Sequence, residues 1–213
     1  MHVEADFLED LRAALLERLR RSKFKLSKKT NVHGVCIAYF NLQKRYIRQK
    51  ARQVLRSPKI LSAEHPGWVS SALDRIAATS ASGGDLNPYQ SDTLRRPAFP
   101  DRLLNDWGIH HLHLGEPNGS GYFVTRRPEL LYVLVGSDHL HFIDVQDHGA
   151  SFADKELLEI VHQNWPEAIA SYRAHGATRV SLTDDQRRRL RKKNAQGRVP
   201  LRVGFEMAAA ASG

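Results

Sequence analysis

Four short segments between residues 109 and 145 constrain this chain more than any other feature of it. "IHHLHL" (109–114), "YFVTR" (122–126), "LLYVLV" (130–135) and "HLHFIDV" (139–145) are rich in β-branched or aromatic residues and are separated by turn residues. The "GSD" at 136–138 has the composition of a hairpin turn. Consecutive short strands with short connections predict an antiparallel meander.

The flanks are patterned differently. Over 4–21, Phe7, Leu8, Leu11, Leu15, Leu16 and Leu19 recur at helical spacing, with acids leading and arginines trailing as the helix dipole favours. A second helix is expected over 35–55 with Phe40, Ile47, Val54 and Leu55 inward, and a third over 66–79 with Pro66 near its start. Residues 80–100 are rich in Gly, Ser and Pro and read as a linker or an ordered long loop, with Tyr89, Leu94 and Phe99 available for packing. Beyond the strands come a helix over 152–163 capped by Ser151, a helical turn over 164–176 between Pro166 and Gly176, and a basic helix over 183–194. Trp107 and Trp165, each beside a turn residue, are assigned to the core.

The chain therefore reads as α+β. A basic helical N-terminal region (1–80) and a linker or ordered loop (81–100) precede a small antiparallel β-meander packed with C-terminal helices on one face (101–213).

Charge is unevenly placed. Residues 1–100 hold 18 Lys and Arg against 9 Asp and Glu, 101–180 hold 6 against 11, and 181–213 hold 8 against 3. Basic flanks around an acidic middle suggest a polyanionic partner. The lone cysteine, Cys36, excludes an internal disulfide and a cysteine-based zinc site, and fits a reducing cytoplasm. The N-terminus lacks the apolar run of a signal peptide, and no segment reaches the ~20 apolar residues of a membrane span. Nothing matches a P-loop, a Rossmann glycine fingerprint, a nucleophile elbow or H-E-x-x-H.

The histidines carry the chemistry. Each of two strands holds an H-L-H, and alternation puts both imidazoles of a pair on one side, about 7 Å apart. His111 and His113 share a face with Ile109, opposite His110, Leu112 and Leu114. His139 and His141 share a face with Ile143 and Val145, opposite Leu140, Phe142 and Asp144. Such pairs can bind a metal, contact phosphates, or act as general base and acid in metal-independent RNA cleavage. They can equally be polar residues on a half-exposed sheet face. Asp144, Asp147 and His148 follow the last strand as catalytic candidates or as ordinary turn residues. Arg126, beside Arg127, could clamp a phosphate. Lys44, Arg45, Arg48 and Arg52, and Arg187, Arg188, Arg191 and Lys192, would neutralise phosphates without reading sequence.

"DRLLNDWGIHHLHLG", "RRPELLYVLV" and "FIDVQDHGASFADKELLEIVHQNWPEAI" resemble a family of bacterial proteins to which no activity is assigned. The order of helices then meander, an arginine before "LLYVLV" and a histidine after the last strand are more distantly similar to the RelE/HigB-like ribonuclease toxins. That resemblance implies metal-free RNA cleavage on the sheet and a protein partner or antitoxin. The combined expectation is an RNA-directed toxin or phage-defence-type protein of the cytoplasm, without cofactor or metal. It would act as an endoribonuclease through His111, His113, Arg126, His141 and His148. The alternative is a non-catalytic nucleic-acid-binding accessory of a mobile element.

Overall fold

The run "LLYVLV" is apolar at every position, which suits a strand buried on both faces better than one facing water. The computed structural model bears this out. It describes residues 6–172 except 25, 28, 97–100, 120 and 148–153, and beyond these 186, 189, 198–200 and 206–208. Strands β1 (Gln53–Arg56), β2 (Ile109–His113), β3 (Glu129–Val135) and β4 (His139–Asp147) form a sheet ordered β1-β4-β3-β2. Among the described residues the helices are α1 (Phe7–Arg21), α2 (Val32–Arg45), α3 (Pro58–Ser62), α4 (Gly67–Ala81), α5 (Arg102–Trp107) and α6 (Asp154–Asn164). A separate antiparallel pair, β5 (Arg198–Pro200) and β6 (Glu206–Ala208), lies in the tail. The fold is α+β, with helices before and after the sheet.

Both faces of the sheet are covered. Leu112, Leu131, Val133, Leu140 and Phe142 pack with Val69, Ala72, Leu73 and Ile76 of α4. On the other side Ile109, Leu130, Tyr132, Leu134 and Ile143 pack with Trp107 of α5, Leu157, Leu158 and Val161 of α6, and Trp165. Helices thus occupy two faces rather than the expected one, and both tryptophans sit in the core. A satellite cluster joins Leu15, Leu16 and Leu19 of α1 to Val35, Ala38 and Leu42 of α2. With those α2 positions turned toward α1, Phe40 lies on the opposite side of the helix and is 65% exposed, not inward.

Three of the four expected strands form, and β2-β3-β4 is the antiparallel meander. The segment 122–126 is a loop instead. Its Val124 is buried in the core beside the sheet, but its backbone N–H goes to the Pro88 carbonyl (3.0 Å), so the segment pairs with the 87–89 turn rather than as a strand. The fourth strand, β1, pairs parallel to β4 and comes from a stretch read as helix. The helix stops at Arg45 because Asn87 captures the next turn. Its Oδ1 accepts from Ile47 N (2.9 Å) and its Nδ2 donates to Ile47 O (2.8 Å). Arg52 then ties β1 to the 136–138 turn, donating from Nε to the Gly136 carbonyl (2.9 Å).

Strand β4 carries a bulge. Tyr132 pairs with Asp144 while Val133 pairs with Phe142, so Ile143 is the inserted residue. Its carbonyl accepts from Ser57 Oγ (2.7 Å), the N-cap of α3. The insertion corrects the alternation beyond it. Asp144 joins the Tyr132 and Ile143 face, and Val145 turns to the α4 side, where it packs on that core.

Candidate functional site

The end of α5 sets up the site. Asp101 caps this helix, its Oδ1 accepting from Leu104 N (3.1 Å). At the other end Gly108 adopts φ +70°, the left-handed conformation glycine favours, and turns the chain into edge strand β2. The turn brings His111 back beside the cap, with His111 Nδ1 3.8 Å from Asp101 Oδ2. That is ion-pair reach rather than a hydrogen bond. Each of the two side chains is 20% exposed, so the pair is partly open to solvent.

Next to them lies a small recess lined by Arg45, Gln90, Ser91, Thr93, Leu94, Asp101 and His111. Its walls are held by polar contacts. Arg45 Nη1 donates to the carbonyls of Arg96 (2.6 Å) and Thr93 (3.3 Å). Gln90 Nε2 donates to the Arg45 carbonyl (3.0 Å) and to Asn87 Oδ1 (2.9 Å). Burial pushes the Arg45 guanidinium down from its usual value and Asp101 opposes the shift. Arginine starts so high that it stays cationic. The recess therefore has a buried cation, held on carbonyls, among the residues of its wall, together with a histidine–carboxylate pair.

Behind His111 a polar row crosses the sheet. His111 pairs with Tyr132, and Tyr132 with Asp144. The Tyr132 hydroxyl is pushed up to about 12 by burial, then by Asp144 and Asp101, so it keeps its proton. Asp144 is buried and ion-paired to Lys59 Nζ at 2.7 Å. Burial alone would lower the Lys59 pKa, but its bonds to Asp144 and Glu156 outweigh burial and raise it.

The two H-L-H pairs share a sheet face but do not meet. Ile109, Leu134 and His141 stand level across β2, β3 and β4, as do His113, Leu130 and Gln146. His111 and His141 are thus two strand spacings apart, about 4.8 Å each, and are offset along the strands as well. His113 is buried 6.4 Å from the His111 ring. His141 is buried against Trp165 (4.7 Å), with Nδ1 3.3 Å from the Leu134 carbonyl. Burial lowers its pKa, His139 adds to that, and the Leu134 carbonyl and Glu167 oppose it.

Arg126 is exposed on the rim, paired with Asp92 and 3.3 Å from Ser91 Oγ. Of the basic positions near α2, Lys44 donates to the Asn105 carbonyl (2.9 Å), and Arg45 and Arg52 are buried on carbonyls. Arg48 is exposed. His148, Arg187, Arg188, Arg191 and Lys192 lie outside the described residues. Sequence reasoning missed Asp101, Tyr132 and Lys59, and gave Arg45 only a surface role. The signal for Asp101 was the Asp that opens "DRLLNDW", a helix cap that returns its carboxylate to the strand after the helix.

Among the described residues no group of three His, Cys, Asp or Glu side chains is placed to hold a metal ion. Among them, too, no helix is long and apolar enough to cross a membrane. Comparison with protein-family models, with curated proteins and with solved structures finds no match.

Proposed function

We propose that the chain is an RNA-directed protein of toxin or phage-defence type that cleaves RNA without a metal at the His111 recess. The observation that carries this reading is the partly exposed His111–Asp101 pair lining a recess together with Arg45. Asp101, within ion-pair reach of Nδ1, stabilises the imidazolium that forms when His111 takes up a proton. His111 removes the 2′-OH proton, and the 2′ oxygen attacks the adjacent phosphorus. The bond to the 5′ oxygen breaks, that oxygen leaves with a proton from water, and a 2′,3′-cyclic phosphate forms. Exposed Arg126 contacts the phosphate, and the buried Arg45 charge in the recess wall favours it at a distance. Helices followed by the β2-β3-β4 meander are the order seen in RelE/HigB-like toxins, which supports the reading at the level of fold only.

Purified protein is incubated with total RNA in EDTA and the cut ends are mapped. The expected result is 5′-hydroxyl ends, with cleavage reduced about 100-fold in His111→Ala, the range general-base catalysis supplies. Asp101→Asn still caps α5, because asparagine caps as well as aspartate. It is expected to lose about tenfold in rate with its melting temperature unchanged, less than the loss of the imidazole itself because His111 remains the proton acceptor. No cleavage in EDTA, with or without a protein partner, would sink the reading. Full activity in His111→Ala would sink the assignment.

A second reading is favoured by the burial of His113, His141, Arg45 and Arg52: a non-catalytic nucleic-acid-binding accessory protein in which these groups are structural. It predicts salt-dependent retardation of RNA or DNA that His111→Ala leaves unchanged.

A further inference from the structure

We propose that the surface beside the recess is a stacking platform that selects unpaired, single-stranded RNA, an inference that rests on the RNA-directed reading above. Two arginines, Arg95 and Arg127, make three aromatic contacts in this part of the chain. The Arg95 guanidinium carbon lies 4.7 Å from the centre of the Tyr122 ring and 5.0 Å from that of Phe123. The Arg127 guanidinium carbon lies 5.3 Å from the Trp68 ring. Tyr122 is 37% exposed, yet its ring is held in place. Its hydroxyl donates to Asp85 Oδ2 (2.9 Å), and the Phe123 ring meets it edge-on at 5.1 Å. An aromatic face fixed before binding loses little freedom when a base lands on it.

The platform adjoins the recess. Arg95 directly follows Thr93 and Leu94, which line it, and Arg126 Nη2 lies 3.3 Å from Ser91 Oγ on its rim. A strand with its scissile phosphate at His111 would lay a neighbouring nucleotide over Tyr122 and Phe123. Planar guanidiniums accept a stacked base as aromatic rings do. Two carboxylates lie at this surface: Asp85 holds the Tyr122 hydroxyl, and Asp92 pairs with Arg96 and Arg126. Exposed ion pairs of that kind are weak, and an incoming phosphate can replace Asp92 on either arginine. Duplex RNA keeps its bases stacked on one another and offers no face to the platform.

The test uses the full chain and a 2′-O-methyl oligoribonucleotide of about 12 nucleotides, which cannot be cut and falls within the span of such sites. Its affinity is compared with that of the same strand in a duplex and of an abasic strand of equal charge. The single strand is expected to bind at least about tenfold tighter than either, since each stacked base contributes roughly that factor. Tyr122→Leu combined with Phe123→Leu, or Arg127→Ala alone, should remove most of the margin. Equal affinity of wild-type protein for the single and abasic strands overturns the platform, whether or not the variants fold. So does a margin that survives in both variants. Base-dependent binding without cleavage overturns the nuclease reading and leaves the platform standing. Cleavage without a base-dependent margin does the reverse.

Discussion

Gly115→Ala is expected to destabilise the protein by about 3 kcal/mol, the upper part of the range for overpacking a closed interior. A Cβ built on Gly115 would lie 1.7 Å from the Thr125 carbonyl oxygen and 2.6 Å from its carbonyl carbon. These atoms are backbone, so no side-chain rotation relieves the overlap. They are also held from both sides. Thr125 N donates to the Glu116 carbonyl (2.9 Å), Glu116 N donates to Thr125 Oγ1 (3.0 Å), and Arg75 Nη2 donates to the Gly115 carbonyl (2.9 Å). The alanine can be accommodated only by parting the two ends of the loop that carries Tyr122, Phe123 and Arg126. Gly119, in the same loop, has nothing within 4 Å of its built Cβ. Gly119→Ala should therefore stay within about 0.5 kcal/mol of wild type. For a chain of this size the Gly115 change corresponds to a melting temperature lower by roughly 6–12 °C. Equal melting temperatures for the two variants would show that the 115–125 contact carries no such constraint. A large Gly115 effect should also weaken single-strand binding, because the platform depends on that loop.

The parts legible in the sequence were those set by local pattern. Helices α1, α4 and α6, the three meander strands and the turn at 136–138 all follow from apolar spacing and turn chemistry over a few residues. What escaped depends on distant partners. The end of α2 and the start of β1 are decided by Asn87, 40 positions from Ile47. The bulge at Ile143 is fixed by Ser57, 86 positions away, and a single inserted residue was enough to reverse the face of Asp144. The histidine pairs were legible as pairs but not as neighbours of anything. Strict alternation placed each imidazole on the correct side of β2, and nothing local told a solvated face from one covered by α5 and α6. "LLYVLV" held that information, since a strand apolar at every position has two buried faces, and its neighbours then share them. Burial also takes in two of the basic residues of 44–52, Arg45 at the end of α2 and Arg52 just before β1, where carbonyls satisfy them, while Arg48 stays exposed.

Buried histidines leave a thermodynamic signature. His110 lies in the interior, its Nδ1 without a hydrogen-bond partner among the described residues, and its pKa falls to about 3 through burial and then the neighbouring His111. His141 is lowered as well, first by burial. In the unfolded chain both titrate near 6.5. Below that pH the unfolded state takes up protons that the folded state refuses, so stability is full above about 6.5 and falls with pH toward the folded values. One such histidine costs at most about 1.4 kcal/mol per pH unit, so His110 alone removes about 3 kcal/mol by pH 4. The lowered carboxylates Asp92 and Asp138 do not share this window. Their contribution is intact above their unfolded value near 4 and is lost only below it. Urea unfolding at pH 7, 6 and 5 should therefore show a steady loss of stability in wild type. In His110→Leu the slope should shrink by about one proton, while stability at pH 7 changes by less than about 1.5 kcal/mol. A slope unchanged by His110→Leu would mean that the ring is protonated inside the fold. That outcome would bear on function too, since an imidazole held neutral through this range cannot serve as a phosphate-binding cation. On the sheet face that α5 and α6 cover, His113 and His141 are buried, His139 is exposed at the start of β4, and His111, a fifth exposed, lines the recess.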